Sequence, residues 1–387
     1  MPVGQLAPAG TAVYPSEIVR WLAARDRQHS VEELRQALCE RYDVPHTFLV
    51  CSGRAAMFVV LRTLARLAGP SKCEVIVPAY TCYSVAATVV RAGLRVRVCD
   101  IDPDTLSYDL TALAANDFGN VLAVLSANLY GIPNDLPAIE AIAKRNGVYL
   151  LDDAAQSLDA RIGGRAVGTF GDVGLFSFDK GKNITSVQGG VIVTRSDSLA
   201  MELQRAVAEL PPPPAARTLL QSVQQLAYTL LLRPWLYWLP ARAPLLRLGE
   251  TVYTTEYPVE RYSEFLAPLV AQQLRRIHDI GAARVRIAHR IQQALETMPA
   301  LRHVRLLPGA EPVFPRLPIF VPDAAARGRL LTALTRRRLG ATGSYPLSIV
   351  DIPELRPHLA PTTLPTPGGR QVAATIVTLP THRFVST

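Results

Sequence analysis

The sequence predicts an α/β fold: a mainly parallel, layered sheet with helices on both faces, followed by a smaller α+β domain. Three observations carry this. Between about residues 48 and 195, short apolar runs alternate with stretches of helical period, the pattern of strands joined by crossover helices. Apolar residues make up 49% of the 387 and charged residues only 19%, so a large core can be buried and wholesale disorder is excluded. Four prolines at 211–214 then end the alternation, and a different pattern follows. The expected organisation is a large domain over 1–210, an apolar Pro/Leu/Trp-rich insertion over 211–256 and a small C-terminal domain over 257–387.

In chain order, residues 15–45 read as one or two helices packing ahead of the sheet. Strand-like runs lie at 48–51, 74–78, 94–100, 121–126, 148–152, 173–178 and 190–194, with helical stretches at 54–67, 83–92 and 135–145. Sheets of this kind place ligands at the carboxyl ends of their strands. In the insertion, Arg233-Pro234 splits the apolar sequence well short of the roughly 20 residues that cross a bilayer. Two readings stay open there: helices buried in a subunit interface, or an interfacial surface with Trp235, Tyr237, Trp238 and flanking arginines at headgroup level. Beyond 260, helices are expected at 265–277, 281–298 and 324–339, a strand at 316–321, and a loop rich in Pro and Thr to finish.

The formal charge of +9 suits anionic substrates or an anionic membrane surface. No block of five basic residues and no basic stripe with interleaved aromatics occurs, so a nucleic-acid partner is not expected. The five cysteines show no C-x-x-C spacing and the seven histidines no H-x-x-x-H pair, which argues against a disulfide scaffold and a metal site. The N-terminus lacks a charged region followed by an apolar core, so a cytoplasmic protein is expected, with peripheral membrane contact through 215–248 as the further option.

Only four of the 41 cations are lysines: Lys72, Lys144, Lys180 and Lys182. Arginine replaces lysine as a surface charge but cannot lose its proton and attack a carbonyl, so a retained lysine invites a chemical question. Three motifs bear on it. Cys51-Ser52-Gly53-Arg54-Ala55 is a strand end, a Ser-Gly turn and a helix start, which presents free N–H groups and a positive dipole end to an anion. Leu151-Asp152-Asp153-Ala154-Ala155-Gln156 runs an apolar strand into two acids, of which strand alternation sends one toward a site. Ser177-Phe178-Asp179-Lys180-Gly181-Lys182-Asn183 ends a strand on a hydroxyl and follows it with both lysines on a Gly-containing loop. Singly, each has an ordinary explanation as a cap or a solvated surface charge. Together they ask for one ligand with a phosphate, a group that a carboxylate keeps protonated, and an aldehyde for a lysine. Pyridoxal 5′-phosphate fits that list.

The chain resembles the DegT/StrS family of sugar aminotransferases. The resemblance rests on Ser52-Gly53-Arg54-Ala55-Ala56, Pro78-Ala79-Tyr80-Thr81, Asp100-Ile101-Asp102-Pro103, Leu129-Tyr130-Gly131-Ile132-Pro133, Asp153-Ala154-Ala155-Gln156, Gly168-Thr169-Phe170-Gly171-Asp172, Phe176-Ser177-Phe178 and Lys182-Asn183, with weaker similarity at Ser344-Tyr345-Pro346 and Leu379-Pro380-Thr381-His382. It implies the three-layer α/β/α fold of type I pyridoxal-phosphate enzymes. It also implies amino transfer from a donor such as glutamate to the keto group of a nucleotide-linked sugar, in a homodimer. Lys182 would form the Schiff base, with Lys180 a distant second; Asp153 would pair with the pyridine nitrogen and Gln156 with the phenolic oxygen. Ser177, with Gly53 and the N–H groups of Arg54 and Ala55, would hold the phosphate.

Departures from the family pattern matter as well. Arg54 stands where Thr is usual and is expected to add a salt link to the phosphate. The ring-stacking aromatic falls on Cys82, with Tyr80 and Tyr83 as neighbouring substitutes, and Val259 stands where the family's partner subunit offers an Asn. Three other readings remain beside the main one: the same chemistry on a lipid-linked or apolar keto substrate, a dehydratase using the same cofactor, and a non-catalytic subunit of this fold. Family dehydratases commonly carry histidine at the position of Lys182, which argues against the second of these.

Overall fold

The computed structural model describes residues 4–242 and 252–385; residues 1–3, 386–387 and, within the insertion, 243–251 lie outside them. Helices α1 (Pro15–Ala23) and α2 (Arg27–Tyr42) precede β1 (His46–Val50), α3 (Gly53–Ala68), β2 (Glu74–Pro78), α4 (Tyr83–Arg91) and β3 (Arg95–Cys99). Then come α5 (Leu110–Ala114), β4 (Val121–Ala127), α6 (Leu136–Arg145) and β5 (Tyr149–Asp153). Two short strands, β6 (Arg161–Ile162) and β7 (Arg165–Ala166), lead to β8 (Val173–Ser177), β9 (Gly190–Thr194) and α7 (Asp197–Ala208). All seven strand-like runs between 48 and 194 thus enter one sheet, in the order β1-β9-β8-β5-β4-β2-β3. Its β8, β5, β4, β2 and β3 pair in parallel, while β9 runs antiparallel to both its neighbours.

Why these runs are apolar at almost every position is plain from the packing. Val75, Val77, Ala123, Leu125 and Leu151 point to one side, against α3, α4 and α7. Ile76, Val124, Leu150 and Val191 point to the other, against α2 and α6. A sheet covered on both faces buries both sets of alternating side chains. Helix starts are fixed by side-chain caps: Ser52 for α3, Asp135 for α6 and Ser196 for α7 each accept from a backbone N–H three residues on.

A buried ion pair interrupts the apolar interior. Arg97 on β3 donates from Nε to Glu74 Oε2 on β2 at 2.7 Å, and its Nη1 donates to the Asp117 carbonyl. Both side chains are almost wholly buried. Glu74→Ala leaves the guanidinium without its counter-charge, and a loss of about 3–5 kcal/mol is expected from urea unfolding.

The insertion folds as α8 (Ala215–Leu231) and α9 (Pro234–Ala241), separated at Arg233. After it come α10 (Ala267–Leu274), α11 (Ile277–Leu295), β10 (Arg302–His303), β11 (Ala310–Glu311), β12 (Arg316–Phe320), α12 (Ala324–Arg336), α13 (Pro367–Thr375) and β13 (Ile376–Pro380). Strands β10, β12 and β13 form a second, antiparallel sheet, and β11 pairs with β6. Residues 367–380, within the stretch expected as a loop rich in Pro and Thr, are instead helix and strand. Pro367 occupies the first turn, where a missing N–H is harmless, and Gly368 and Gly369 donate to the Asp100 carboxylate at 2.9 Å each. Helix α10 is shorter than the expected 265–277, and α11 begins four residues before the expected 281.

Candidate active site

The carboxyl ends of β1, β5 and β8 meet at one place. Ser52 leaves β1 and caps α3, its Oγ accepting from Ala55 N at 3.1 Å. The first turn lies against the end of β8: a Cβ on Gly53 would stand 3.1 Å from Ser177 Cβ and 3.3 Å from its Oγ. A side chain there would press on Ser177 unless it gave way by a few tenths of an ångström. The N–H groups of Gly53 and Arg54 precede the first intrahelical bond, so they face outward beside the Ser177 hydroxyl, a seat for an anion. The Arg54 guanidinium lies over the Tyr257 ring, 4.7 Å from its centroid, so at this position it is the backbone that turns to the seat.

The two acids of β5 part as strand alternation requires. Asp152 is fully buried and accepts from Gly168 N at 2.6 Å, Phe170 N at 3.2 Å and Asn128 Nδ2 at 2.8 Å. Burial pushes its carboxyl up to about 7 against those bonds. Its job is to pin the 168–170 turn and Asn128. All three contacts are donors, so the amide of Asp152→Asn must set an N–H against one of them, and a loss of about 1–3 kcal/mol in thermal or urea unfolding is expected. Asp153 faces the other way. It accepts from Ala155 N at 2.9 Å, burial raises its carboxyl, and the nearby Lys182 charge pulls it back down. Lys180 is exposed, its backbone N–H donating to Asp179 Oδ1, and it belongs to a neighbouring cavity.

Three residues after Asp153, Gln156 accepts from Tyr130 N at 3.1 Å and donates from Nε2 to Tyr345 Oη at 3.1 Å. Tyr345 gathers the residues from the start of α4. Tyr80 is buried, with its hydroxyl on the Tyr345 backbone N–H and carbonyl at 3.2 Å each. The Tyr83 hydroxyl accepts from Leu347 N at 2.8 Å. Both tyrosines therefore clamp residues 345–347, and the half-buried Cys82 thiol stands beside the Tyr345 phenol. Val259, on a segment crossing α3 and α4, packs as an apolar side chain against their core.

The lysine loop is held from behind. Thr11 Oγ1 donates to the carbonyls of Lys182 and Asn183 at 2.8 Å, and Asn183 Nδ2 donates to the Leu158 carbonyl. Arg284 of α11, fully buried, donates from Nη2 to Thr11 Oγ1 at 2.9 Å and to the Gly10 carbonyl at 2.7 Å, and burial brings its guanidinium down to about 10. His382 closes the same strap: its Nε2–H donates to the Ala7 carbonyl at 2.9 Å while Nδ1 accepts from Phe384 N at 3.3 Å. That bonding uses a neutral ring, and burial holds its pKa down to about 4. As pH falls from about 6.5 to about 4 the unfolded chain takes up a proton that the folded chain refuses, so about 3 kcal/mol of stability is lost across that window. His382→Gln keeps a donor for Ala7 and is expected to flatten this slope in melts at stepped pH. Thr11, Arg284 and Tyr345 carry no motif in the sequence beyond the Ser-Tyr-Pro similarity; only the packing identifies them.

Beside the loop lies a cavity of about 340 Å³, walled by Lys180, Gly181, Tyr228, Leu231, Tyr237 and Arg316 among others. Arg316 of β12 donates to Thr342 Oγ1 at 3.3 Å, and its charge bears on both Tyr345 and Tyr237. It thus stands between the cavity and the Gln156–Tyr345 cluster.

An open sheet with one reversed strand next to β1, a smaller C-terminal sheet, and an anion seat, buried acid and lysine loop at the strand ends is the fold of type I pyridoxal-phosphate enzymes. The chain belongs to the DegT/DnrJ/EryC1/StrS aminotransferase family, whose profile matches residues 21–208 and 258–387. It is 35% identical over 162 residues to a UDP-N-acetyl-3-dehydro-alpha-D-glucosamine 3-aminotransferase of Acidithiobacillus ferrooxidans, covering 42% of this chain and 43% of that protein. It is 30% identical over 308 residues to an L-glutamine:2-deoxy-scyllo-inosose aminotransferase of Streptoalloteichus tenebrarius, covering 79% of this chain and 65% of that one. Both matches span less than two thirds of the relative's length. Among solved structures, the E. coli GDP-4-keto-6-deoxy-D-mannose-3-dehydratase with bound hydrated PLP superposes with a TM-score of 0.79 at 19% identity, covering 98% of this chain and 95% of that one. At that identity the likeness speaks for the fold. Among the described residues no cluster suited to a metal ion occurs, and no helix is long and apolar enough to cross a membrane.

Proposed function

We propose that the protein is a pyridoxal-phosphate-dependent aminotransferase that moves an amino group from glutamate to the keto group of a nucleotide-linked sugar, working as a homodimer. The observation that carries the reading is the field of Lys182 at the buried Asp153 beside the anion seat of α3 and Ser177. These residues fit the cofactor. A buried carboxylate with one N–H donor gains most from a cationic partner, which a protonated pyridine nitrogen supplies. The space against Ser177 that any Cβ on Gly53 would crowd suits a phosphate held by the Gly53 and Arg54 N–H groups and by Ser177, the expected Ala55 N–H being already taken by Ser52 Oγ.

When bound, the cofactor supplies an aldehyde that condenses with amines and a ring that takes up the electrons of a broken C–H bond. Lys182 would hold the cofactor through its Nζ and, as the amine able to shed its proton, would be the group that takes and returns the proton at the donor's Cα. Asp153 would hold a proton on the pyridine nitrogen. Gln156, held by Tyr130 N and Tyr345, presents its amide to the phenolic oxygen. Tyr80, Cys82 and Tyr83 would stand nearest the ring through their contacts with Tyr345, and Arg316 is a cation free of acidic partners among the described residues, suited to a donor carboxylate or an acceptor phosphate.

A second reading of the acceptor, a lipid-linked or otherwise apolar ketone, is favoured by the mostly apolar cavity that α8 and α9 wall beside Lys180-Gly181. One spectroscopic screen covers both. The cofactor-loaded protein should lose its visible band on adding glutamate and regain it with the right keto acceptor, whether sugar nucleotide or apolar ketone. A band unmoved by glutamate, glutamine and other amino donors would leave the non-catalytic reading standing instead.

A further inference from the structure

Helix α8 is built inside out. Its buried side carries Gln221, Ser222 and Gln225, whereas Leu219, Val223 and Leu230 are 66%, 54% and 52% exposed. On α9, Trp235 is 59% exposed, with Trp238 and Leu239 also outward. A helix facing water on its outer side shows the reverse pattern. The polar side is tied down: Gln221 Nε2 donates to Gln188 Oε1 at 2.7 Å, and the Tyr228 hydroxyl accepts from Thr11 N at 2.9 Å. Rolling the leucines inward would break these ties to the lysine loop and its strap. Gln225 is fully buried with neither amide atom partnered among the described residues, so this orientation is held at some expense to the helix itself.

The charge around this face is of one sign. Between Glu209 and Glu250 the sequence has no acid, while Arg217, Arg233 and Arg242 flank the apolar side chains. Arg217 is paired with Glu260 at 2.7 Å, and Arg242 lies on Trp238 at 5.6 Å. A second copy docking through the same two helices would bring further arginines and no acid of its own to answer Arg233 and Arg242, Glu260 being already paired with Arg217. Anionic headgroups answer them, with the leucines and tryptophan reaching the acyl boundary. Residues 209–257 also fall outside the stretches that match the family.

We propose that α8 and α9 dock this protein peripherally on an anionic phospholipid bilayer, with Leu219, Val223, Leu230 and Trp235 as the inserted side chains and Arg233 and Arg242 at headgroup level. The test is flotation of the full-length protein through a sucrose gradient with vesicles of phosphatidylcholine alone or mixed with phosphatidylglycerol. The protein should rise with the anionic vesicles and, at the same lipid concentration, at least about tenfold less with the neutral ones. Leu219→Gln combined with Val223→Gln and Leu230→Gln should cut the floated fraction about tenfold or more while leaving the melting temperature in place, because these side chains are outward. Arg233→Gln with Arg242→Gln should weaken flotation several-fold and remove most of its salt sensitivity. A wild-type protein that stays at the bottom with every vesicle overturns the proposal. So does a triple variant whose light-scattering mass falls from dimer to monomer, since that would assign the face to a second copy. Neither readout depends on turnover, so the proposal stands or falls apart from the catalytic reading.

Discussion

Lys182→Arg is expected to abolish amino transfer, lowering turnover about 10⁴-fold or more, with the fold and anion seat intact. Arginine keeps the positive charge that bears on Asp153, so the electrostatics of the site survive the exchange. It does not supply an amine that can shed its proton, which the proposed role of Lys182 would require both to hold the aldehyde and to move the donor's proton. The backbone there is fixed by its carbonyl's bond to Thr11 Oγ1, which the substitution leaves alone. Lys180→Arg is the control: its side chain is exposed and faces the neighbouring cavity, so transfer rates should stay near normal. A normal rate for Lys182→Arg with loss for Lys180→Arg would reassign the nucleophile.

Asp153→Asn is expected to lower kcat about 10²–10³-fold with little change in thermal stability. An amide keeps an oxygen for Ala155 N, which donates at 2.9 Å, so the local turn is preserved. What disappears is the negative charge that, in the proposed role, would hold a proton on the pyridine nitrogen in a buried setting, where such a charge acts strongly. The loss should fall on kcat under saturating donor. A variant with wild-type kcat would mean that the carboxylate only caps its turn.

Much of the architecture was legible because burial on both faces writes itself as continuous apolar runs. Val75-Ile76-Val77 and Leu150-Leu151 send alternate side chains into opposite layers, and no helix pattern competes with them. The Ser52–Ala55 turn, the Asp152-Asp153 pair and the lysine loop were legible as chemistry because each is local in sequence. Residues 367–380 were not, since Pro and Thr read as loop and their order depends on Asp100 and β12, both distant in sequence. The same holds for Tyr345, which matters through Gln156, Tyr80 and Tyr83, and for Arg284, one arginine among many until its bond to Thr11 is seen. Composition marked the insertion as unusual, but only the structure shows that α8 turns its glutamines inward and its leucines out.

The most direct measurement is borohydride reduction of the pyridoxal-phosphate-loaded protein followed by peptide mapping. The cofactor is expected on the peptide carrying Lys182, with fragmentation placing it on that residue. Fixation on Lys180, on another amine, or on none would contradict the central claim that Lys182, set against buried Asp153, is the amine that takes up the aldehyde.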